Sequence, residues 1–380
     1  MIYFDNAATT WPKPRSVARA VAEAIRRYGA NPGRSGHHMS LETATKVYET
    51  REAAASMFGV DTPENVVFTL NCSHALNLAI KGFTRPGDHI IISDLEHNSV
   101  LRPIHALAER GLATYSVVKI HPGDDEHTLA EFRRVIRPET SLIACTHGSN
   151  AWGICTPIAK ISTLAAQHGI FFLVDAAQTA GVVPINIKET GIDFLCVAGH
   201  KSLYGPPGTG MMITSRGDVL QTIMEGGTGS YSANYSQPTD MPDCFECGTV
   251  NTLGIIGLGA GIAHIADAGI ENIYSHEMQI GRKIYERLQN MPNVELYTDF
   301  TQDWHLPVLS FNIRGKHSEQ TTGELSDMGF ALRGGLHCSP LAHEKMDTLE
   351  RGAVRISIGM FNTEAHVLRL CTAINSLQKV

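Results

Sequence analysis

Two residues carry the clearest chemistry in this sequence. Asp175 ends the apolar run Phe171-Phe172-Leu173-Val174 and is followed by Ala176-Ala177-Gln178, and Lys201 closes Ala198-Gly199-His200-Lys201 after the next apolar run. An acid at the carboxyl end of a strand stands at the edge where α/β sheets bind ligands, and a lysine after the neighbouring strand reaches the same spot. Together they supply what pyridoxal phosphate needs. The amine can bind its aldehyde as a Schiff base, and the carboxylate can keep its pyridine nitrogen protonated, so that the ring takes up electrons. Singly, each has a plainer reading: Asp175 as a helix N-cap, Lys201 as a solvated surface lysine. The stiff segment Gly205-Pro206-Pro207-Gly208-Thr209-Gly210 after Lys201 points to a site held on a rigid scaffold.

The elements that must position these residues are legible as alternation. Short apolar runs at 66–70, 89–93, 114–119, 142–146, 170–174, 194–197 and 211–214 read as strands buried on both faces. Helical patterns separate them. Val17, Val21, Ala24, Ile25 and Tyr28 are expected on one helical face, and Leu76, Ala79 and Ile80 on another. Such alternation predicts an α/β fold with a mostly parallel sheet between helices. The glycine-rich apolar stretch 248–261 is expected to begin a buried helix leading out of the large domain. Beyond it, a helical pattern at 273–289 and β-rich runs at 294–297, 308–313 and 354–358 read as a smaller α+β domain. The expected division is an N-terminal segment 1–15 packing near the small domain, a large domain 16–258, and a small domain 259–380.

Composition narrows the function classes. The chain has 380 residues, 43% hydrophobic and 18% charged, with a net charge of −7; it reads as globular. The charge and the lack of a basic block argue against nucleic acid or anionic membranes as partners. No apolar run reaches the roughly 20 residues of a membrane span. The start, MIYFDNAATT, lacks the pattern of a signal peptide, so a cytoplasmic location is expected. Eight scattered cysteines read as reduced thiols. Cys244 and Cys247 form a C-x-x-C without a second matching pair, and the eighteen histidines show no H-x-x-x-H pairing with an acid; no metal site is expected.

The chain resembles the class V, fold-type I pyridoxal-phosphate enzymes, and among them the cysteine desulfurase and selenocysteine lyase group. The resemblance rests on Tyr3-Phe4-Asp5-Asn6-Ala7-Ala8-Thr9-Thr10, Val174 to Gln178, Gly199-His200-Lys201, Phe245-Glu246-Cys247-Gly248-Thr249, Arg333-Gly334-Gly335-Leu336-His337-Cys338 and Val354-Arg355-Ile356-Ser357. It implies Lys201 as Schiff-base lysine and proton shuttle, Asp175 on the pyridinium nitrogen, and His97 stacked on the ring. Gln178 and Asn150 are implied on the ring hydroxyl. The phosphate is implied at the turn Asn71-Cys72-Ser73-His74 before a helix, where N–H groups favour an anion, with His200 as a further donor. Thr249 is implied to reach the phosphate of a partner subunit, which makes the protein a homodimer. Arg355 is implied to bind the substrate carboxylate, and Arg333 and Arg34 to line the entrance.

Two positions depart from the family pattern: Cys72 where desulfurases often have threonine, and Ala198 where they often have serine. Both remove hydroxyl donors near the phosphate, so a looser grip is expected. Cys338 selects the reaction the resemblance implies: its thiolate attacks the sulfur of bound cysteine, leaving a persulfide on Cys338 and alanine as product. Its plainer reading is a small buried loop residue. An aminotransferase, a selenocysteine lyase or a β-lyase on a cysteine derivative would share the scaffold; a non-catalytic sulfur-carrier partner is the remoter reading. L-cysteine or a related amino acid is the implied substrate, and a sulfur-acceptor protein an implied partner.

Overall fold

The computed structural model describes residues 1–33, 36–301 and 305–377. In chain order the strands are β1 (Ile2–Tyr3), β2 (Val66–Thr69), β3 (Asp88–Ser93), β4 (Ala113–Val118), β5 (Thr140–Thr146), β6 (Phe171–Asp175), β7 (Phe194–Ala198), β8 (Gly210–Ile213), β9 (Val294–Leu296), β10 (Val308–Ile313), β11 (Phe330–Ala331) and β12 (Val354–Ser357). Strands expected from apolar runs appear within a residue or two of their expected limits. β1 and β11, two residues each, are too short to leave such a run.

Seven strands form one sheet in the order β2-β8-β7-β6-β5-β3-β4. From β7 to β4 every pairing is parallel, whereas β8 runs antiparallel to both β7 and β2. The reason lies in the connection. The segment carrying Lys201 joins β7 to β8 without a helix, and a parallel return needs a crossover, usually helical. Side chains alternate between two layers, as strand geometry requires. Phe172, Val174, Leu195 and Val197 enter one apolar cluster; Leu173, Phe194, Cys196 and Ala198 enter the other.

The helix Arg15–Arg27 buries Val17 and Ala24, but Ile25 is 62% exposed. The expected face therefore stands without Ile25, which lies a hundred degrees past Ala24. The glycine-rich helix spans Thr252–Ala268, its start set by the Asn251 side chain, which accepts from the Gly254 N–H; residues 248–251 lie outside it. A Cβ at Gly261 would sit 2.2 Å from the carbonyl oxygen of Leu203, so glycine there lets the helix press against the turn after Lys201.

A second sheet, β12-β10-β9, is antiparallel. Its core gathers Phe311, Ile356, Met278, Ile284, Leu370 and Ile374 together with Ile2 and Phe4 from the N-terminus. β1 pairs with β11 in parallel, and isolated bridges join Asp5 to Ser357 and Arg333 to Arg355. Ile262, Ile265 and Ile273 belong to the larger core and Met278 to the smaller. The chain thus passes between cores within the helix Ile270–Leu288, beyond residue 258. No single helix among the described residues is long and apolar enough to cross a membrane.

Candidate active site

One cleft lies at the carboxyl ends of β5, β6 and β7, where doubly covered sheets bind ligands. Its wall includes Cys72, Ser73, His97, Asn150, Asp175, Gln178, His200, Lys201, Arg333 and Arg355. Ten residues singled out in the sequence, spread over almost three hundred positions, therefore meet in one place. Thr249 is exposed outside the cleft, where its hydroxyl accepts from the Asn31 amide at 3.2 Å. Arg34 lies outside the described residues.

The floor is built from element ends. Asp175 closes β6 and is buried. Its Oδ1 accepts from the Ala177 N–H at 2.9 Å and faces the Cys72 thiol at 3.5 Å. Oδ2 has no protein partner among the described residues and is free to take a cation or an N–H from the cleft. Lys201 follows the end of β7. Removal from water lowers its proton affinity; the carboxylate of Asp175 opposes that shift.

Helix N-termini supply the anion side. Asn71 caps the helix Cys72–Phe83 by accepting from the His74 N–H. The N–H groups of Cys72 and Ser73, at the first two helical positions, have no partner among the described residues. This is the arrangement that holds a phosphate. Cys72 turns its thiol toward Asp175 rather than toward these N–H groups, and burial pushes that thiol well up, so it stays protonated. Ser73 Oγ instead pairs with Ser99 Oγ at 2.6 Å.

His97 caps the next helix, Asn98–Glu109, with Nδ1 accepting from the Ser99 N–H at 3.0 Å. The acceptor role of Nδ1 leaves the proton on Nε2. Burial pushes His97 down to about 4, and does the same to His200, so both are neutral at physiological pH. His200 Nδ1 pairs with Thr9 Oγ1 at 3.1 Å, and the Gln178 amide donates to the carbonyl of Ala7 at 3.1 Å. The N-terminal segment thereby borders the cleft.

The opposite wall is the loop from Arg333 to Ser339. His337 and Cys338 are both left-handed, at φ +51° and +58°, a conformation that costs a non-glycine residue of order 1 kcal/mol or more. The turn is closed by the Ser339 N–H on the Leu336 carbonyl at 2.9 Å, and bonds from outside it add to this. The Asn98 N–H donates to the Cys338 carbonyl at 2.7 Å. The Asn150 amide donates to the His337 carbonyl at 2.7 Å, and Ser339 Oγ donates to Asn150 Oδ1 at 2.6 Å. Cys338 itself is exposed, with Arg333 Nη2 at 3.9 Å from its sulfur.

Arg355, on β12, is 1% exposed. Its Nη2 donates to Asp5 Oδ1 at 2.6 Å and its Nη1 to the Asn150 carbonyl at 3.1 Å, while Nε is buried without a partner among the described residues. The guanidinium is thus positioned before any substrate arrives, with donors to spare for a carboxylate. Asp5 was quoted above as part of a motif but given no role. Glu96, which precedes His97, is a further residue without an expected role. It is fully buried, burial raises it to about 8, and Oε1 accepts from the Thr146 N–H at 2.9 Å and from the Ser93 hydroxyl at the end of β3. Protonated, it ties the end of β5 to the strand end before His97 without adding a second negative charge beside Asp175.

Among the described residues, the histidine and acid grouping with metal-ligand spacing is His121, His127 and Glu131. It does not line the cleft. Its ligand atoms lie within 4.8 Å of one another, its imidazoles stack in parallel at 3.7 Å, and Arg134 bonds Glu131 at 2.7 Å. All eight cysteines are free.

The family profile of the aminotransferases of class V matches residues 2–370. The chain belongs to that family. A probable cysteine desulfurase of Methanothermobacter thermautotrophicus is 33% identical over 96% of this chain and 92% of its own. The cysteine desulfurase of Escherichia coli K12 is 33% identical over 100% of this chain and 94% of its own. Among solved structures, the apo cysteine desulfurase of Thermococcus onnurineus NA1 superposes with a TM-score of 0.91 at 32% identity, covering 100% of this chain and 94% of its own. The Escherichia coli desulfurase CsdA, in its S-sulfonic acid form, gives 0.87 at 26% identity, covering 98% and 94%. Within the class V aminotransferases this chain falls in the cysteine desulfurase group, and its fold is the fold type I expected from the sequence.

Proposed function

We propose that this protein is a pyridoxal-phosphate-dependent cysteine desulfurase that converts L-cysteine to L-alanine and takes the sulfur onto Cys338 as a persulfide. The observation that carries the reading is an exposed thiol on a loop pinned in a left-handed turn, whose neighbours Arg333 and His337 line the cleft of Lys201 and Asp175 while the thiol itself lies outside that lining. An aminotransferase needs no thiol there.

The residues fit the cofactor. Free N–H groups of Cys72 and Ser73 would hold its phosphate, Asp175 Oδ2 its ring nitrogen, the His97 face its ring, Gln178 and the second N–H of Asn150 its hydroxyl, and Lys201 Nζ its aldehyde carbon. When bound, the group withdraws the electrons released at the substrate Cα. Lys201, its proton affinity lowered by burial, takes the Cα proton and later returns a proton to the product carbon. Arg355 orients the substrate carboxylate, its spare donors paired with both oxygens. Cys338 Sγ bonds to the substrate sulfur as that sulfur leaves Cβ, and Arg333 steadies the attacking thiolate. A homodimer in which Thr249 completes the partner's phosphate site fits its place outside the cleft of its own chain. The exposure of Cys338 suits delivery of sulfur to an acceptor protein. Mass spectrometry of enzyme mixed with L-cysteine tests this: the Cys338 peptide should gain one sulfur atom. A gain on another cysteine, or none, would contradict the role of Cys338.

A further inference from the structure

Behind Cys338 lies a buried relay that the proposed reaction does not use. His337 Nε2 lies 3.3 Å from the Arg333 carbonyl, His337 Nδ1 lies 3.3 Å from His343 Nε2, and His343 Nδ1 lies 2.8 Å from Thr348 Oγ1. His337 is 3% exposed; His343 is fully buried and packs against Trp152 at 4.8 Å. The Trp152 indole N–H bonds the carbonyl of Ala342, next to it in the chain, at 2.9 Å.

The direction of this relay follows from its end. A carbonyl only accepts, so His337 Nε2 must carry the proton, and Nδ1 of neutral His337 must accept. His343 then donates from Nε2 and accepts at Nδ1 from the Thr348 hydroxyl, for whose one proton this nitrogen at 2.8 Å is a nearer acceptor than the His343 carbonyl at 3.4 Å. Burial keeps both rings neutral, pushing His343 down to about 4 and His337 well below its ordinary value. The Arg333 carbonyl also accepts from the Arg355 N–H at 2.8 Å. The His337 ring thus fastens the loop to the register of β12, with Arg333 beside the sulfur.

We propose that His343 is a positioning residue for Cys338: by donating to His337 it fixes that ring's tautomer and so holds the left-handed turn and the Arg333–Cys338 alignment. The proposal rests on the reading of Cys338 as sulfur acceptor. Losing the donor leaves the turn's strain opposed by fewer bonds, and a misplacement of about 1 Å at a reacting atom can cost up to about 100-fold in rate.

The test compares His343→Leu and His343→Gln in the holoenzyme. Leucine keeps the volume without the donor; the glutamine amide can donate to His337. Expected for leucine is a fall in kcat of about 10-fold or more, with KM for L-cysteine within about twofold, an unchanged cofactor absorbance, and slower alkylation of Cys338 by iodoacetamide. Glutamine should restore kcat and alkylation to within about threefold of wild type. Leucine and glutamine variants that behave alike, or a leucine variant with wild-type kcat and alkylation, would overturn the proposal. Should His343→Leu not fold, Thr348→Val against Thr348→Ser gives the same comparison with a smaller drop, about threefold, rescued by serine; equal rates overturn it. Alkylation needs no turnover, so a wild-type enzyme inert toward L-cysteine would sink the proposed function while the variants still decide the role of His343.

Discussion

The two walls of the cleft are built by opposite means. The floor uses ordinary element ends: Asp175 at the end of β6, Lys201 after β7, and the N-termini of the helices Cys72–Phe83 and Asn98–Glu109. Its side chains point where strand and helix geometry sends them. The cysteine loop leans on single contacts, among them the bridge from Arg333 to Arg355 and the Ser339 N–H on the Leu336 carbonyl that closes its turn. It keeps His337 and Cys338 left-handed through bonds from Asn98 and Asn150 on one side and a buried histidine pair on the other. A floor made of repeating geometry tolerates neighbours; a loop made of single bonds depends on each of them.

The comparison predicts that changes in the floor and the loop fail differently. Lys201→Ala should abolish turnover, by roughly 10⁴-fold, and remove the absorbance of covalently held cofactor. Cys338→Ala should cost at least about 100-fold in alanine formation while leaving that absorbance intact. Equal loss of absorbance in both variants would erase the distinction between the walls.

Asp5→Ala strips the partner from a guanidinium that is 1% exposed. Breaking such a buried pair should lower stability by about 3 kcal/mol, read as a lower urea midpoint. An unchanged midpoint would mean that Arg355 is held by the Asn150 carbonyl alone.

Acid should weaken the fold through buried imidazoles. Burial holds His97, His147, His200 and His343 down near about 4, against about 6.5 in an unfolded chain. Between these values the unfolded chain binds more protons, so stability falls as pH drops from about 6.5 to 4 and levels below that. Urea midpoints across this range test it; a flat profile would contradict the buried, neutral assignment.

The smallest effect concerns phosphate. Cys72 offers no donor to it, since the thiol faces Asp175. Ala198→Ser should restore one hydrogen bond, about 1 kcal/mol, or roughly fivefold tighter pyridoxal phosphate by equilibrium dialysis. Equal affinity would show that the backbone N–H groups of Cys72 and Ser73 already suffice.

How much of this the sequence disclosed follows the same divide. The floor was legible because apolar runs mark strands, and polar residues just past them mark the ligand edge: Asp175 and Lys201 were found that way. The supports of the loop were not legible. Nothing in residue types links Ser339 to Asn150, His343 to His337, or Asp5 to Arg355 across 350 positions; only folding closes those distances. Ile25 misled for a related reason, since its apolar side chain fits a helical stripe that the packing does not use.

The most direct test of the central claim is the yield of alanine and sulfide from L-cysteine by purified holoenzyme in a reducing thiol, beside Cys338→Ala. The account predicts equal amounts of alanine and sulfide from the wild type and neither from the variant. Alanine undiminished in the variant would contradict it, leaving Cys338 as a loop residue without a part in the chemistry.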